Sequence, residues 1–244
     1  MKQFEMLKPY KRAMTAAYAP GMYVTRELLR SRPEVVRAVY AHPKCDAPDE
    51  AARLCRAHGI PFRVGERYFR LINRKENTYM LAEFEKYDAP LAEECPHIAL
   101  VDAEDAGNLG AMLRTALACG LRNVALVSPA ADVFHPRAIR ASRGAAFWLN
   151  IQSFPSIDDY RNAHPRHALY PFMLGAGCAP DAVARPAGRR FTLIFGSESS
   201  GLSPAFAEMG EVITIPQTAQ VDSLNVAVAM GIGTFLFARE NGLL

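Results

Sequence analysis

The sequence predicts an α/β protein in two parts, a parallel-sheet domain at the C-terminal end and a smaller α/β module in front of it. Three observations carry that expectation. Short apolar runs, HIALV (97–101), NVALV (123–127), ALYPFML (168–174), FTLIF (191–195) and EVITI (211–215), alternate with helical or loop segments. Their apolarity is continuous, as expected of strands covered on both faces. The charge then divides the chain near Cys95: of 28 Lys and Arg and 25 Asp and Glu in all, residues 1–95 hold 17 and 13, which leaves 11 and 12 for the rest.

The elements follow in order. In the front part VVRAVYA (35–41) and PFRV read as strands, with a helix between them from about Pro48 to His58 that ends at Gly59. His58 shares a stripe with Ala51, Leu54 and Cys55 and reads as a packed residue near that helix end. In MLAEFEKY, Met80, Ala82 and Phe84 alternate with Leu81, Glu83 and Glu85, the period of a half-exposed strand. The segment EKYDAPLAEECP, with Pro90, Pro96 and several acids, reads as the linker. Behind it Leu109, Met112, Leu113, Ala116 and Leu117 form an apolar helical stripe that Gly120 stops. The closing segment SLNVAVAMGIGTFLFARE is apolar nearly all round, a buried C-terminal helix with Asp222 and Ser223 as candidate N-caps.

Composition excludes several classes. Half of the residues are hydrophobic and 22% are charged, which is incompatible with intrinsic disorder. The longest uncharged stretch, Ser223–Ala238, contains Asn225, Thr234 and two glycines, so no purely apolar run is long enough to span a bilayer. MKQFEMLKPYKR lacks the apolar core of a secretory signal, and a soluble cytoplasmic protein is expected. The five cysteines are scattered and never spaced C-x-x-C, which fits neither a disulfide framework nor a zinc knuckle. His164 and His167 are a close pair without an acidic or cysteine ligand set and read as a surface loop; no metal is expected. Arg114, Arg122, Arg137, Arg140 and Arg143 face a single acid, Asp132, within thirty residues, a cluster suited to phosphates.

Ligands of parallel sheets bind beyond strand C-termini, and three polar, glycine-bearing loops follow strands here: DAGNLGAMLRTA (105–116), FGSESSGLS (195–203) and IPQTAQVDSLNVAVA (215–229). From Gly196 the second has the glycine frame of a P-loop, but Leu202 stands where the phosphate-binding lysine belongs, and no lysine follows Lys86. Ser199 has Gly201 behind it but Ser197 ahead, so it is no nucleophile elbow. The dinucleotide fingerprint is absent, since Gly107 and Gly110 alone do not make one.

Together the three loops resemble the three motifs of the TrmH/SpoU class of the SPOUT superfamily, RNA methyltransferases that use S-adenosylmethionine and usually methylate a ribose 2′-hydroxyl. The first motif matches at Asn108, Gly110, Arg114, Thr115 and Ala116; the second at Phe195, Gly196, Glu198, Gly201 and Leu202; the third at Ile215, Pro216, Ser223, Leu224, Asn225, Val226 and Ala227. RASRGAAF (140–147) is similar to the family's stretch between the first two motifs. Residues 22–90 more loosely resemble the ribosomal-protein-like α/β domain that many members carry in front for substrate RNA, although Asn77, Thr78 and Tyr79 replace a glycine-containing turn usual there. The division implied is an N-terminal extension (1–21), an RNA substrate-binding domain (22–90), a linker (91–96) and a methyltransferase domain (97–244).

The resemblance implies a C-terminal trefoil knot, an exception to the rule against knots, with S-adenosyl-L-methionine in the knotted loops. Main-chain groups at Gly196, Ile215 and Pro216 would hold the adenine, and Leu202 and Leu224 would be apolar walls. Methyl transfer is an in-line displacement that needs the hydroxyl aligned and one proton managed. A guanidinium stays protonated and makes a poor base, so Arg114 would position the ribose or adjacent phosphate and stabilise oxyanion character. Asn108 would orient substrate or cap its helix, Glu198 would pair with an arginine, and Ser223 and Asn225 would bond Arg114 or RNA. Arg140 and Ser142 would touch RNA phosphate or support the dimer. The implied partners are structured RNA, rRNA favoured over tRNA, and a second copy of the chain in a homodimer. Base methylation, or a non-catalytic RNA-binding or assembly role, are the competing readings.

Overall fold

The computed structural model describes residues 7–69, 78–175, 177–180, 190–240 and 242–244. Asn77 lies outside them. In chain order the elements are β1 (Ala16–Pro20), α1 (Met22–Ser31), β2 (Val36–Ala41), α2 (Asp49–Ala57), β3 (Phe62–Val64) and β4 (Met80–Glu85). They continue with β5 (His97–Val101), α3 (Ala106–Ala118), β6 (Asn123–Val127), α4 (Pro136–Ala141), β7 (Asn150–Phe154), α5 (Ile157–Ala163), β8 (Ala168–Pro171), β9 (Phe191–Phe195) and α6 (Val226–Glu240). Two compact units result: Met1–Tyr87 with Asp132–Phe147, and Asp88–Ala131 with Trp148–Leu244.

The front unit is a mixed sheet of order β1-β4-β2-β3, in which β4 pairs antiparallel with β1 and β2 while β3 joins β2 in parallel. Strand β1 and helix α1 were not anticipated, and β1 lies within the residues expected to be an extension. The expectation of a half-exposed β4 fails, because Met80, Leu81, Ala82 and Phe84 are all fully buried. Leu28, Leu29, Ala51 and Cys55 cover one side of the sheet, and Tyr18, Tyr40, Tyr68 and Phe69 gather with Leu81 in a second cluster. A central strand between two apolar layers has no solvent face to alternate toward. His58 ends α2 as expected but is exposed rather than packed.

Residues 132–147, read from the sequence as part of the second domain, belong to this front core. Ile139 and Phe147 are buried in the same cluster as Val39 and Phe84, and the Phe147 ring meets Phe84 edge-on at 5.4 Å. The Asp132 carboxylate accepts from Tyr10 and lies 3.4 Å from the Lys86 ammonium. A linear reading of apolar runs cannot reveal that a segment returns to an earlier unit.

The rear unit is a wholly parallel sheet of order β7-β6-β5-β9-β8. Four of the five expected strands form. EVITI does not: only Ile213 of these residues is buried, and it makes isolated bridges to Phe172 and Cys178. The fifth strand is β7, whose sequence NIQSF lacks a continuous apolar run because it lies at the sheet edge and is largely half-exposed. Helix α3 packs its stripe of Leu109, Met112, Leu113 and Ala116 inward and closes before Gly120, whose φ is +77°. Helices α3 and α6 pack together. Gly233 lets α6 approach Phe172, since a Cβ there would stand 2.4 Å from the ring.

Candidate functional site

Strand order in the rear sheet reverses between β5 and β9, where parallel sheets place their ligands. The first loop leaves β5 through Asp102, a non-glycine residue at φ +56°, and enters α3 at Asp105. The Asp105 carboxylate accepts from the N–H groups of Gly107 and Asn108, both at 2.8 Å, so Asp105 is the cap and Asn108 is the residue being capped. The Asn108 side chain has no hydrogen-bond partner among the described residues. Arg114 is exposed beside the buried stripe of α3 and likewise has no hydrogen-bond or ion-pair partner among the described residues.

The second loop is a tight reversal. Gly201 donates its N–H to the Ser197 carbonyl at 3.0 Å and adopts φ +64°. Ser197 Oγ accepts from the Ser200 N–H and lies 2.9 Å from Ser200 Oγ. The closure presses main chain on main chain: a Cβ on Gly196 would lie 2.2 Å from the Gly201 carbonyl carbon. Glu198 projects at the exposed part of this turn, and no arginine among the described residues pairs with it, contrary to expectation.

The third loop delivers the chain to α6. Asn225, not Asp222 or Ser223, caps the helix, its Oδ1 accepting from the Ala227 N–H at 2.9 Å. Ser223 sits too early in the chain to reach the first turn and is exposed. The helix buries Met230, Gly233, Thr234 and Phe237, but Val228, Ile232 and Phe235 are 51%, 37% and 48% exposed. An apolar face therefore remains open on an element expected to be buried.

The second and third loops enclose a cavity of about 490 Å³, within the usual range for small-molecule sites, at the C-terminal ends of β8 and β9. Gly196, Glu198, Leu202, Ile215, Ser223 and Leu224 line it. Pro216 stands between the lining residues Ile215 and Gln217 but does not line it, and Arg114, Asn108 and Asn225 also lie outside the lining. Among the described residues Glu198 and Asp222 are its ionisable side chains, and no Lys, Arg or His of these residues lines it. Such a site suits a ligand with excess positive charge, apolar walls and main-chain recognition, which is the chemistry of a sulfonium nucleoside.

Sequence reading missed Phe172, Met173 and Leu174, which line the cavity. The signal was Pro171 inside the run ALYPFML: a proline cannot donate to a ladder, so the strand ends there and the apolar residues beyond it are free for a site. Phe172 stacks on Phe195 with centroids 4.4 Å apart, bringing the ends of β8 and β9 together.

His164 and His167 are buried, not a surface loop, and they gather with His97. Each imidazole is hydrogen-bonded to groups around the cluster. His97 Nδ1 and Nε2 meet Tyr160 Oη and the Ala92 carbonyl, His167 meets Thr192 Oγ1 and the Glu93 carbonyl, and His164 Nδ1 lies 2.6 Å from the Glu93 carboxylate. His97 begins β5, so the cluster lies at the N-terminal ends of the strands, opposite the cavity at their C-terminal ends. Burial, the largest cause, presses the His97 imidazole down to about 3 and lowers His167 as well.

Comparison with known proteins agrees with this geometry. The model of the SpoU rRNA Methylase family matches residues 96–235. The chain is 29% identical over 217 residues to the 23S rRNA (guanosine(2553)-2′-O)-methyltransferase RlmP of Bacillus subtilis, covering 87% of this chain and 84% of that one. It is 29% identical over 215 residues to the 23S rRNA (adenosine(1067)-2′-O)-methyltransferase of Streptomyces azureus, covering 80% and 76%. Its fold superposes with TM-score 0.79 and 25% identity on the AdoMet-bound rRNA methyltransferase of Sinorhizobium meliloti, covering 93% of this chain and 88% of that one.

Proposed function

We propose that this chain, which belongs to the SpoU rRNA Methylase family, transfers the methyl group of S-adenosylmethionine to a ribose 2′-hydroxyl of ribosomal RNA. The observation that carries the reading is the convergence of the second and third loops on one cavity whose described lining carries Glu198 and Asp222 and no basic side chain. S-adenosylmethionine supplies an electrophilic methyl on a sulfonium, which needs no metal. In this reading main-chain groups around Gly196, Ile215 and Pro216 hold the adenine, Leu202 and Leu224 flank it, and Glu198 and Ser223 edge the side where the hydroxyl arrives.

Arg114 then holds the ribose or the adjacent phosphate and stabilises the oxygen as its proton leaves. Because Arg114 and the Asn108 side chain have no partner among the described residues and the Val228, Ile232 and Phe235 face is open, the reading includes a homodimer in which the partner's Arg114 completes each site. Asn225 combines capping with proximity to that site. A trefoil knot is part of the same reading, and it is supported by two main-chain approaches that leave no room for a Cβ, Gly196 on Gly201 and Gly210 on the Leu169 carbonyl. The front unit selects the RNA, and a ribosomal substrate places the protein in the cytoplasm.

The test is incubation of the full chain with unmodified ribosomal RNA and methyl-labelled S-adenosylmethionine, followed by nucleoside mass analysis. Label on a ribose is expected; label on a base overturns the acceptor assignment. Arg114→Ala should lose about 10² or more in turnover. Arg114→Lys should fall too, because it keeps the charge but not the planar fork. Near-normal turnover of the lysine variant would show that a point charge suffices.

A further inference from the structure

The front unit carries a cleft that the methyl-transfer reading leaves unused. Its volume is about 520 Å³, and Gly21, Tyr23, Asp46, Thr78, Tyr79, Arg140 and Arg143 are among its walls. Two of these are tyrosines standing 47% and 39% exposed, Tyr23 and Tyr79, where the other described Phe and Tyr rings of this unit are buried or half-buried. Each ring is braced. The Arg143 guanidinium lies 5.1 Å from the Tyr23 centroid, and the His42 ring lies 5.4 Å from that of Tyr79.

The two arginines are held as firmly. Arg140 donates to Thr78 Oγ1 at 3.0 Å, across 62 residues of chain. Arg143 occupies the left-handed region at φ +51°, a conformation that costs a non-glycine residue about 1–2 kcal/mol. Gly144 follows at φ +83°, and a Cβ there would stand 2.8 Å from Glu27 Cβ, so the chain is pressed onto α1 just after Arg143. Arg143 has no ion-pair partner among the described residues. The backbone is thus strained to deliver an uncompensated guanidinium to the mouth of a cleft that displays aromatic rings. The one acid among the described lining residues, Asp46, would repel a phosphate and accept hydrogen bonds from the N–H groups of a base.

We propose that this cleft binds an unpaired nucleotide of the substrate RNA, its base stacked on Tyr79 or Tyr23 and its phosphate held by Arg140 and Arg143. Stacking on aromatic side chains with cationic contact to the backbone is how single strands are held without a duplex. The proposal rests on the RNA methyltransferase reading for the identity of the ligand, and it adds that the front unit grips a single-stranded element.

The test titrates the full chain with a fluorescein-labelled ten-nucleotide single-stranded RNA and with a blunt RNA duplex of equal length, and in parallel with S-adenosylmethionine. The wild type should prefer the single strand. Tyr79→Ala combined with Tyr23→Ala should weaken that strand about tenfold or more, leave the duplex nearly unchanged and leave the cofactor isotherm intact, while the double Tyr→Phe variant retains binding. Arg143→Ala should lower the slope of log affinity against log salt by about 0.7, as for one lost phosphate contact on a single strand. Equal binding of single strand and duplex, or a Tyr→Ala pair that binds as the wild type does, overturns the proposal. Absence of cofactor binding in the wild type would instead count against the methyltransferase reading, with the RNA titration still deciding the cleft.

Discussion

Among the described residues, the rear cavity presents Glu198 and Asp222 and no basic side chain, whereas the front cleft presents Arg140 and Arg143 beside two open tyrosines and a single acid. Each unit also spends backbone strain differently. In the rear, left-handed Gly201 lets main chain fold onto main chain, so the binding surface is the backbone itself. In front, a non-glycine residue, Arg143, is left-handed, and the strain there delivers a side chain. A cationic cofactor with an adenine edge is matched by the first construction, and a polyanion with separable bases by the second. In the proposed reading one chain keeps the two charge problems of methyl transfer to RNA in separate units, instead of exposing a sulfonium to a basic groove.

The sharpest way to break this comparison is at Gly196. Gly196→Ala places a Cβ 2.2 Å from backbone, which only a shift of the loop can relieve. Overpacking of this kind costs about 1–3 kcal/mol, so cofactor affinity should fall about 10- to 100-fold. Binding of single-stranded RNA should be unchanged. Gly201→Ala is the control: its Cβ meets no atom within 4 Å, and its penalty is the left-handed backbone alone, about 1–2 kcal/mol. Isothermal titration decides, and a Gly196→Ala protein with wild-type cofactor affinity would dissolve the claim that main-chain closure shapes the cavity.

The rear site was the more legible of the two. Strands of a sheet covered on both faces read as unbroken apolar runs, and four of the five expected were found; the glycines that a tight main-chain reversal demands stand at Gly196 and Gly201. Legibility failed wherever a feature depends on what returns from elsewhere. NIQSF hides β7 because an edge strand is only half covered, and Ile213 bridges without a ladder because its neighbours are not buried. The front cleft was invisible because Arg140 and Arg143 lie more than sixty positions after Thr78 in the chain. Capping went astray by one turn, since Asp105 and Asn225 are each as polar as the neighbours first considered, and geometry alone selects them.

Acid separates the two units next. All three buried histidines among the described residues, His97, His164 and His167, belong to the rear unit. With its value pressed to about 3, His97 stays neutral in the fold while the unfolded chain protonates near 6.5. The unfolded state then binds more protons between those values, so stability is full above about 6.5 and declines as pH falls toward 3. From pH 6.5 to 5 the loss is about 2 kcal/mol for this one residue, with His167 adding in the same direction. Urea unfolding followed by fluorescence of the single tryptophan, Trp148 in the rear unit, should show the decline. His97→Gln, which does not titrate, should flatten it. A wild-type stability independent of pH over that range would refute the assignment.

The smallest effect distinguishes scaffold from binding at the rear mouth, where Ser223 and Asn225 stand two residues apart. Asn225 caps α6, and its side chain lies outside the cavity lining; Ser223 lines the cavity and caps nothing. Removing an N-cap costs about 1 kcal/mol, which in a chain of this size shifts the melting temperature by about 2–4 °C. Asn225→Ala should therefore lower the melting temperature by that amount, and Asn225→Asp, which keeps the acceptor, should restore it. Ser223→Ala should leave the melting temperature alone and instead weaken cofactor or substrate binding by less than about tenfold, the worth of one hydrogen bond. If the two variants exchanged these signatures, α6 would start at Ser223 in solution, and the mouth of the cavity would be built from a different turn than the one described.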